Sequence, residues 1–139
     1  MFQFLDHPSE AYVEVRGATI EEVFHDAAVA LFEVMTDVSA LSSEILFPVA
    51  LTASGRDPLL IEWLNRLILI HEVELVFLAH FEIHALGRTG NDWKVEAFAA
   101  GERIKESHER RSHVKSATFG SFEWIESPDG HTVRFVLDV

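Results

Sequence analysis

The stretch that decides the fold lies at residues 4–17 and reads Phe4-Leu5-Asp6-His7-Pro8-Ser9-Glu10-Ala11-Tyr12-Val13-Glu14-Val15-Arg16-Gly17. Its second half alternates apolar and charged side chains, which predicts a half-buried strand that ends at the glycine. Its first half places two carboxylates and a histidine in a turn before that strand. The sequence therefore predicts a strand entered from an acidic turn.

The far end of the chain, Val136-Leu137-Asp138-Val139, continues another alternating strand to the final residue. A terminus held in a sheet presents its carboxylate at a fixed point. We expect the two ends to meet in space and to form one acidic, cation-binding corner. The plainer interpretation, two unrelated polar strand ends, stays open, because polar residues are common at such positions.

Two helices are predicted between these ends. Thr19 followed by Glu22 forms a capping box, and apolar residues recur on one helical face as far as Met35. Asp57 is the predicted N-cap of the second helix, and Pro58 its first helical residue. The second helix is apolar on more than one side, which predicts that it is largely buried.

The remaining segments alternate as strands do. Residues 45–53 predict a strand at a sheet edge, because Pro48 lacks an N–H to donate. Residues 77–85 predict another strand, followed by a hairpin loop at 87–92 and a further strand. Residues 127–130 predict a turn before the last strand. Together the pattern predicts an α+β fold, one domain over residues 1–139, with a mostly antiparallel sheet of about six or seven strands and two main helices packed on it.

Composition excludes several functions. The chain has 48% hydrophobic residues. It has no cysteine, and this absence rules out disulfides, thiol nucleophiles and cysteine-based metal sites. Its formal net charge of −12 repels nucleic acid, so we expect no direct nucleic-acid binding. No basic leader and no apolar run of about twenty residues is present, so we expect a cytoplasmic protein with no membrane partner.

One strand face carries His80, Glu82 and His84. Imidazole and carboxylate groups bind transition metals, so this row is one candidate for a metal-assisted hydrolase. Residues two apart on a strand are about 6.5–7 Å apart, however, and three of them rarely reach one ion. A solvent-facing polar row is therefore favoured.

Residues 101–116 form the one locally basic segment. It is predicted to be either a binding loop or a solvated connection that balances nearby acids. Its basic residues are Arg103, Lys105, Arg110, Arg111 and Lys115, with His108 and His113 beside them.

Four landmarks occur in a fixed order: Phe4-Leu5-Asp6-His7, the helix from Thr19 through Leu31-Phe32-Glu33-Val34-Met35-Thr36-Asp37, the run Val114-Lys115-Ser116-Ala117-Thr118, and the terminal Val136-Leu137-Asp138-Val139. Together they resemble the archease family, and the resemblance covers essentially the whole chain. The helix ending in Leu-Phe-x-x-Met-Thr-Asp, taken with the terminal Leu-Asp-Val, is its most specific part.

The resemblance implies a small, non-enzymatic α+β protein. It implies a role in promoting guanylylation and turnover of an RtcB-type RNA ligase in tRNA splicing and RNA repair. It also implies a divalent cation, with calcium expected and magnesium or manganese as alternatives. By this resemblance the metal ligands are Glu10, Asp138 and Val139, and the residues that aid the ligase are Lys115, Asp6 and His7.

The chain departs from the family pattern at two places. Glu10 stands where the family usually has aspartate, and Phe119-Gly120 stands where it usually has Tyr-His. Two alternatives to the ligase role remain open. One is a chaperone or adaptor for a tRNA methyltransferase or another client, and the other is the hydrolase that would use His80, Glu82 and His84.

Overall fold

The computed structural model describes residues 1–5 and 10–139. Its elements are β1 (Phe2–Leu5), β2 (Glu10–Gly17), α1 (Ile20–Met35), a short 3-10 helix (Val38–Ala40), β3 (Ile45–Ala53), α2 (Arg56–Glu74), β4 (Val76–Thr89), β5 (Asp92–Arg103), β6 (Ser116–Ser127) and β7 (Gly130–Asp138). The predicted α+β class is confirmed, and the order of the predicted helices and strands is reproduced.

The strands form two sheets rather than the single sheet predicted. One has the order β1-β2-β7-β6 and the other has the order β3-β5-β4, with every pairing antiparallel. Both helices contact strands of both sheets. Strand alternation shows which residues share a face, but it does not show which strands pair. For that reason the division into two sheets could not be predicted.

Helix α1 begins at a capping box. Thr19 is the N-cap, and its hydroxyl oxygen accepts a hydrogen bond of 3.1 Å from the backbone N–H of Glu22. The carboxylate of Glu22 accepts in turn from the backbone N–H of Ala18 at 2.7 Å, one residue earlier than the usual reciprocal bond. The predicted start of this helix is thus confirmed.

The start of α2 differs from the prediction. The helix begins at Arg56 with Gly55 as its N-cap, and no side chain caps it. Asp57, the predicted N-cap, instead lies in the first turn, where a carboxylate is favoured by the helix dipole. Pro58 is tolerated there because the first N–H groups of a helix have no intrahelical partner.

The core lies where the two helices meet the sheets. Trp63 on α2 is fully buried, and its ring N–H donates to the backbone oxygen of Phe24 on α1 at 3.0 Å. From β2 and β7 the core receives Val13, Val15, Val133, Phe135 and Leu137, all fully buried. These five residues are the predicted alternating face, and their partners on the other face carry the polar groups described next.

Candidate functional site

The start of β2 and the end of β7 lie side by side, as predicted. Strand β2 pairs with β7 so that Glu10 is directly opposite Asp138, and β6 pairs with β7 so that Ser116 is opposite Asp138 on its other side. Directly opposed residues of antiparallel strands have Cβ atoms about 4.5–5.5 Å apart on one face of the sheet. Glu10, Asp138 and Ser116 therefore form one row across three strands, which we call the acidic corner.

Lys115 joins this corner through its backbone. Its N–H donates to the backbone oxygen of Asp138 at 2.7 Å, so the strand end that carries Asp138 is tied to the residue before β6. The Lys115 side chain is exposed, and its ammonium group makes no ion pair with any residue in 1–5 or 10–139. A cationic side chain is thus exposed to solvent on a residue whose backbone is bonded to Asp138.

Asn65 on α2 fixes the first residues of β6, a role for which no local pattern around Asn65 is a signal. Its side-chain amide donates to the backbone oxygen of Ala117 at 3.1 Å, and its side-chain oxygen accepts from the backbone N–H of Ala117 at 2.8 Å. Because β6 is the outer strand of its sheet, these two bonds replace those of a missing neighbour strand. They hold Ser116 and Lys115 in place against Asp138.

The same sheet face carries a buried ionic group farther along the strands. Glu14 is only 2% exposed, and its carboxylate accepts from Arg134 at 2.8 Å, from Gln3 at 2.7 Å and from Arg16 at 3.0 Å. The hydrogen bond from Arg134 is the main reason that the pKa of Glu14 lies below its ordinary value. This carboxylate is fully engaged within the sheet and is not free to bind a ligand.

Two like charges directly opposite each other on a sheet destabilise it. Glu10 and Asp138 are such a pair, half-buried at the ends of the two inner strands of the sheet. Carboxylate oxygens are the ligands that calcium and magnesium prefer, so the donor chemistry of the pair suits a hard divalent cation. Val139, the third predicted ligand, follows Asp138 directly and is 37% exposed.

Two predicted site residues, Asp6 and His7, lie outside the described residues. Within residues 1–5 and 10–139, no three histidine, aspartate or glutamate side chains are grouped closely enough to hold an ion. In that part of the chain the acidic corner contributes two carboxylates.

The row of His80, Glu82 and His84 is the solvent-facing row that was favoured. His80 shares a hydrogen bond of 3.0 Å between its Nε2 and the backbone oxygen of Leu41, and the ring of His84 packs edge-on against Phe98. Nδ1 of His84 lies 3.8 Å from the Glu82 carboxylate, but the three side chains are not grouped closely enough to hold an ion. The structure gives no support to the hydrolase alternative.

The basic segment is tied down by nearby acids. Arg111 donates to the carboxylate of Glu33 at 2.6 Å and to the backbone oxygen of Glu33 at 2.8 Å, which satisfies a carbonyl near the end of α1. Its backbone N–H also donates to the oxygen of Met35 at 2.9 Å. Lys105 bonds to the carboxylate of Glu102 at 3.2 Å. For these two residues the prediction of a connection that balances acids is confirmed.

Glu102 anchors the start of this segment from a buried position. It is 7% exposed and accepts from the backbone N–H of Ser42 at 2.7 Å and from Lys105. The ring of His108 lies 3.3 Å from the same carboxylate. Mainly because of the Ser42 bond, the pKa of Glu102 is lowered to about 2. A fully charged buried carboxylate thus holds two parts of the chain together.

His71 is a structural residue. It lies in the last turn of α2, is 8% exposed, and makes a 2.7 Å bond between Nδ1 and the backbone oxygen of Val76. Burial lowers its pKa, so the ring is held neutral and its Nδ1 donates. The ring stacks on Phe77 with centroids 5.3 Å apart.

No helix in the described residues is both long and apolar enough to cross a membrane.

Fold and site together define a class: a small α+β protein whose two antiparallel sheets are joined by two helices and whose strand ends form an acidic corner. Residues 2–139 match the model of the Archease protein family. The archease of Methanothermobacter thermautotrophicus is 36% identical over 138 residues, covering 99% of this chain and 98% of that protein. The archease of Methanosarcina mazei is 30% identical over 139 residues, with 99% and 95% covered. The chain belongs to the archease family.

Solved structures agree. The solution structure of Methanobacterium thermoautotrophicum protein 1598 superposes with a TM-score of 0.87 at 36% identity, covering 99% of this chain and 98% of that one. The crystal structure of an archease from Thermotoga maritima, described as a possible chaperone, gives a TM-score of 0.63 at 17% identity, covering 99% and 96%. The second likeness shows the fold alone. The resemblance read from the sequence is thereby confirmed.

Proposed function

We propose that this protein is a non-enzymatic partner of an RtcB-type RNA ligase in the cytoplasm. In this role it promotes guanylylation of the ligase by GTP and its turnover in tRNA splicing and RNA repair. The observation that supports the proposal is that Glu10, Asp138 and the backbone of Lys115 meet where β2 begins and β7 ends. Two opposed carboxylates and an exposed lysine on neighbouring residues suit contact with a charged active site in another protein.

A divalent cation belongs to the same proposal. Glu10, Asp138 and Val139 would supply oxygen ligands, with calcium the expected ion and magnesium or manganese the alternatives. When bound, the ion supplies positive charge that offsets the repulsion between the two opposed carboxylates. Asp6 and His7 are proposed to act with Lys115 on the partner, on the strength of the family resemblance.

Multiple-turnover RNA ligation by the ligase of the same host tests the ligase role. We expect the wild-type protein to raise the number of ligation cycles per ligase, and Lys115→Ala to lose most of this effect. Lys94→Ala is the matched control, because Lys94 is an exposed lysine in the other sheet, paired with Glu96 at 2.9 Å. If the wild-type protein leaves turnover unchanged, the ligase role is wrong.

Thermal denaturation with added calcium or manganese tests the cation. An ion that binds only the folded state raises the melting temperature by mass action. We expect this rise in the wild type and its loss in Asp138→Asn, which keeps the shape of the side chain. Glu82→Gln removes one charge from an exposed acid of the other sheet and should retain the rise. An unchanged melting temperature at millimolar ion would exclude the cation site.

A second candidate function is that of a chaperone or adaptor for another client, such as a tRNA methyltransferase. It is favoured by the description of the Thermotoga maritima archease as a possible chaperone. Purified methyltransferase from the same host can be aggregated by heat with and without this protein. Suppressed aggregation together with unchanged ligase turnover would favour the chaperone role over the ligase role.

A further inference from the structure

Strand β6 leaves its register with β7 just past the acidic corner. Thr118 is paired with Val136, but the next paired residue, Glu123, is opposite Arg134. Four residues of β6 therefore stand against the single residue Phe135 of β7. We call residues 119–122 the β6 bulge.

The backbone of the bulge adopts a conformation that costs free energy. Ser121 has φ of 56°, in the left-handed region that serine seldom adopts. Bulges of this kind are frequent beside functional sites, where they re-aim a side chain. Phe119, Gly120 and Ser121 are all exposed, so burial of these three residues does not offset the cost of the bulge conformation.

The side chain that the bulge presents is aromatic. Phe119 is 52% exposed, although phenylalanine is ordinarily a core residue. Its ring packs edge-on against Phe122, with centroids 5.4 Å apart and planes at 61°. Because a neighbouring ring already restricts Phe119, the side chain loses little conformational freedom when it is buried by another molecule.

The bulge follows the acidic corner along the same strand. Ser116 is opposite Asp138, and Phe119 is three residues farther along β6, which is about 10 Å at the usual rise per residue. Asn65 fixes Ala117 between them through two hydrogen bonds. An exposed aromatic ring thus lies on the strand whose first residue borders the acidic corner.

We propose that the β6 bulge is the apolar anchor by which this protein docks on its RtcB-type ligase, with Phe119 inserted into an apolar socket of the ligase. The inference rests on the proposed function and names the contact that provides most of the affinity. Aromatic side chains at the centre of an interface commonly carry most of its binding free energy. We expect positive charge around this socket on the ligase. Such charge would complement Glu10, Asp138 and the net charge of −12 of this chain.

RNA is the other molecule that could stack on an exposed ring. The same net charge of −12 opposes it, because each phosphate adds repulsion. A protein surface is therefore the occupant that the charge of the chain favours.

Binding of the full chain to the purified ligase of the same host, measured by calorimetry, tests the anchor. Phe119→Ala should raise the dissociation constant by about thirtyfold or more, the loss typical of an interface hot spot. Ile125→Ala is the matched control, since Ile125 is 51% exposed on the same strand beyond the bulge. It should bind within about twofold of the wild type. Because both side chains are exposed, both variants should keep the wild-type melting temperature.

The outcomes separate the two proposals. If the wild type binds the ligase and Phe119→Ala binds equally well, the anchor is wrong and the ligase role stands. Equal weakening by Phe119→Ala and Ile125→Ala also overturns the anchor, because the effect is then not specific to the bulge. If the wild type does not bind the ligase at all, the ligase role fails and the anchor fails with it. Binding of a labelled single-stranded RNA that Phe119→Ala abolishes would replace the ligase socket with RNA.

Discussion

Replacing Glu102 by glutamine keeps the volume of a buried side chain and removes its charge. The carboxylate holds Ser42 from the connection before β3 and Lys105 from the basic segment. Its pKa is lowered from 4.5 to about 2, which corresponds to about 3 kcal/mol in favour of the charged form in the folded state. Because Lys105 is half exposed and solvent weakens its contribution, we expect Glu102→Gln to lose about 2–3 kcal/mol of unfolding free energy at pH 7.

The pH dependence distinguishes this reasoning from a simple packing defect. A carboxylate whose pKa is depressed in the folded state contributes stability that is fully present above the unfolded value of 4.5. That contribution is lost as the pH falls from 4.5 towards about 2. The difference between wild type and Glu102→Gln should therefore be constant from pH 7 to pH 5 and shrink below pH 4.5.

Urea denaturation followed by circular dichroism measures this difference at each pH. For a chain of 139 residues, 2–3 kcal/mol corresponds to a fall in melting temperature of about 7–10 °C. Glu106→Gln, which removes an exposed carboxylate from the same segment, should change stability by no more than about 0.5 kcal/mol. A Glu102→Gln deficit that stays the same from pH 7 to pH 3 would refute the electrostatic account.

Three further predictions concern the framework around the site. Asn65→Ala should lower the free energy of unfolding by about 1–3 kcal/mol, because it removes the side chain that bonds the N–H and C=O of Ala117. Urea denaturation measures this loss, and an unchanged stability would show that water replaces both bonds. Gly101→Ala should destabilise the protein by about 3 kcal/mol or more, because the added Cβ would lie 1.9 Å from the backbone oxygen of Phe77. Gly87→Ala is the control: its Cβ would enter open space, so its melting temperature should be near that of the wild type. Arg134→Met should lower the free energy of unfolding at neutral pH, because the buried carboxylate of Glu14 keeps only Gln3 and Arg16 as donors. The loss should lessen below pH 4.5 as Glu14 becomes protonated, and equal losses at pH 7 and pH 3 would contradict this.

Much of the acidic corner could be predicted from the sequence. Alternation in residues 10–17 and 130–138 is strong, because one face of each strand packs on the core and the other carries mainly polar side chains. Glu10 and Asp138 lie at corresponding ends of these strands, so antiparallel pairing was enough to bring them together. By contrast, residues 2–5 carry no clear alternation, and β1 was not predicted.

Other parts of the site depend on partners far away in the chain. The pairing of Asn65 with Ala117 joins residues 52 positions apart, and neither residue is unusual in its own segment. The β6 bulge also escaped prediction. Residues 119–122 read Phe-Gly-Ser-Phe, and the glycine is a weak local sign of a bulge, but only the pairing shows that β7 has a single residue opposite these four. The buried state of Glu102 has the same origin, since Ser42 reaches it from 60 positions away.

The sequence by itself determined the two helices, the faces of the strands, the acidic ends and the family, because local periodicity and capping chemistry act over a few residues. Only the tertiary structure decided that the strands divide into two sheets, that Asn65 completes the edge of β6, and that the bulge turns Phe119 outward. Strand pairing and burial depend on contacts between distant segments, and such contacts leave no periodic pattern in the segments that make them.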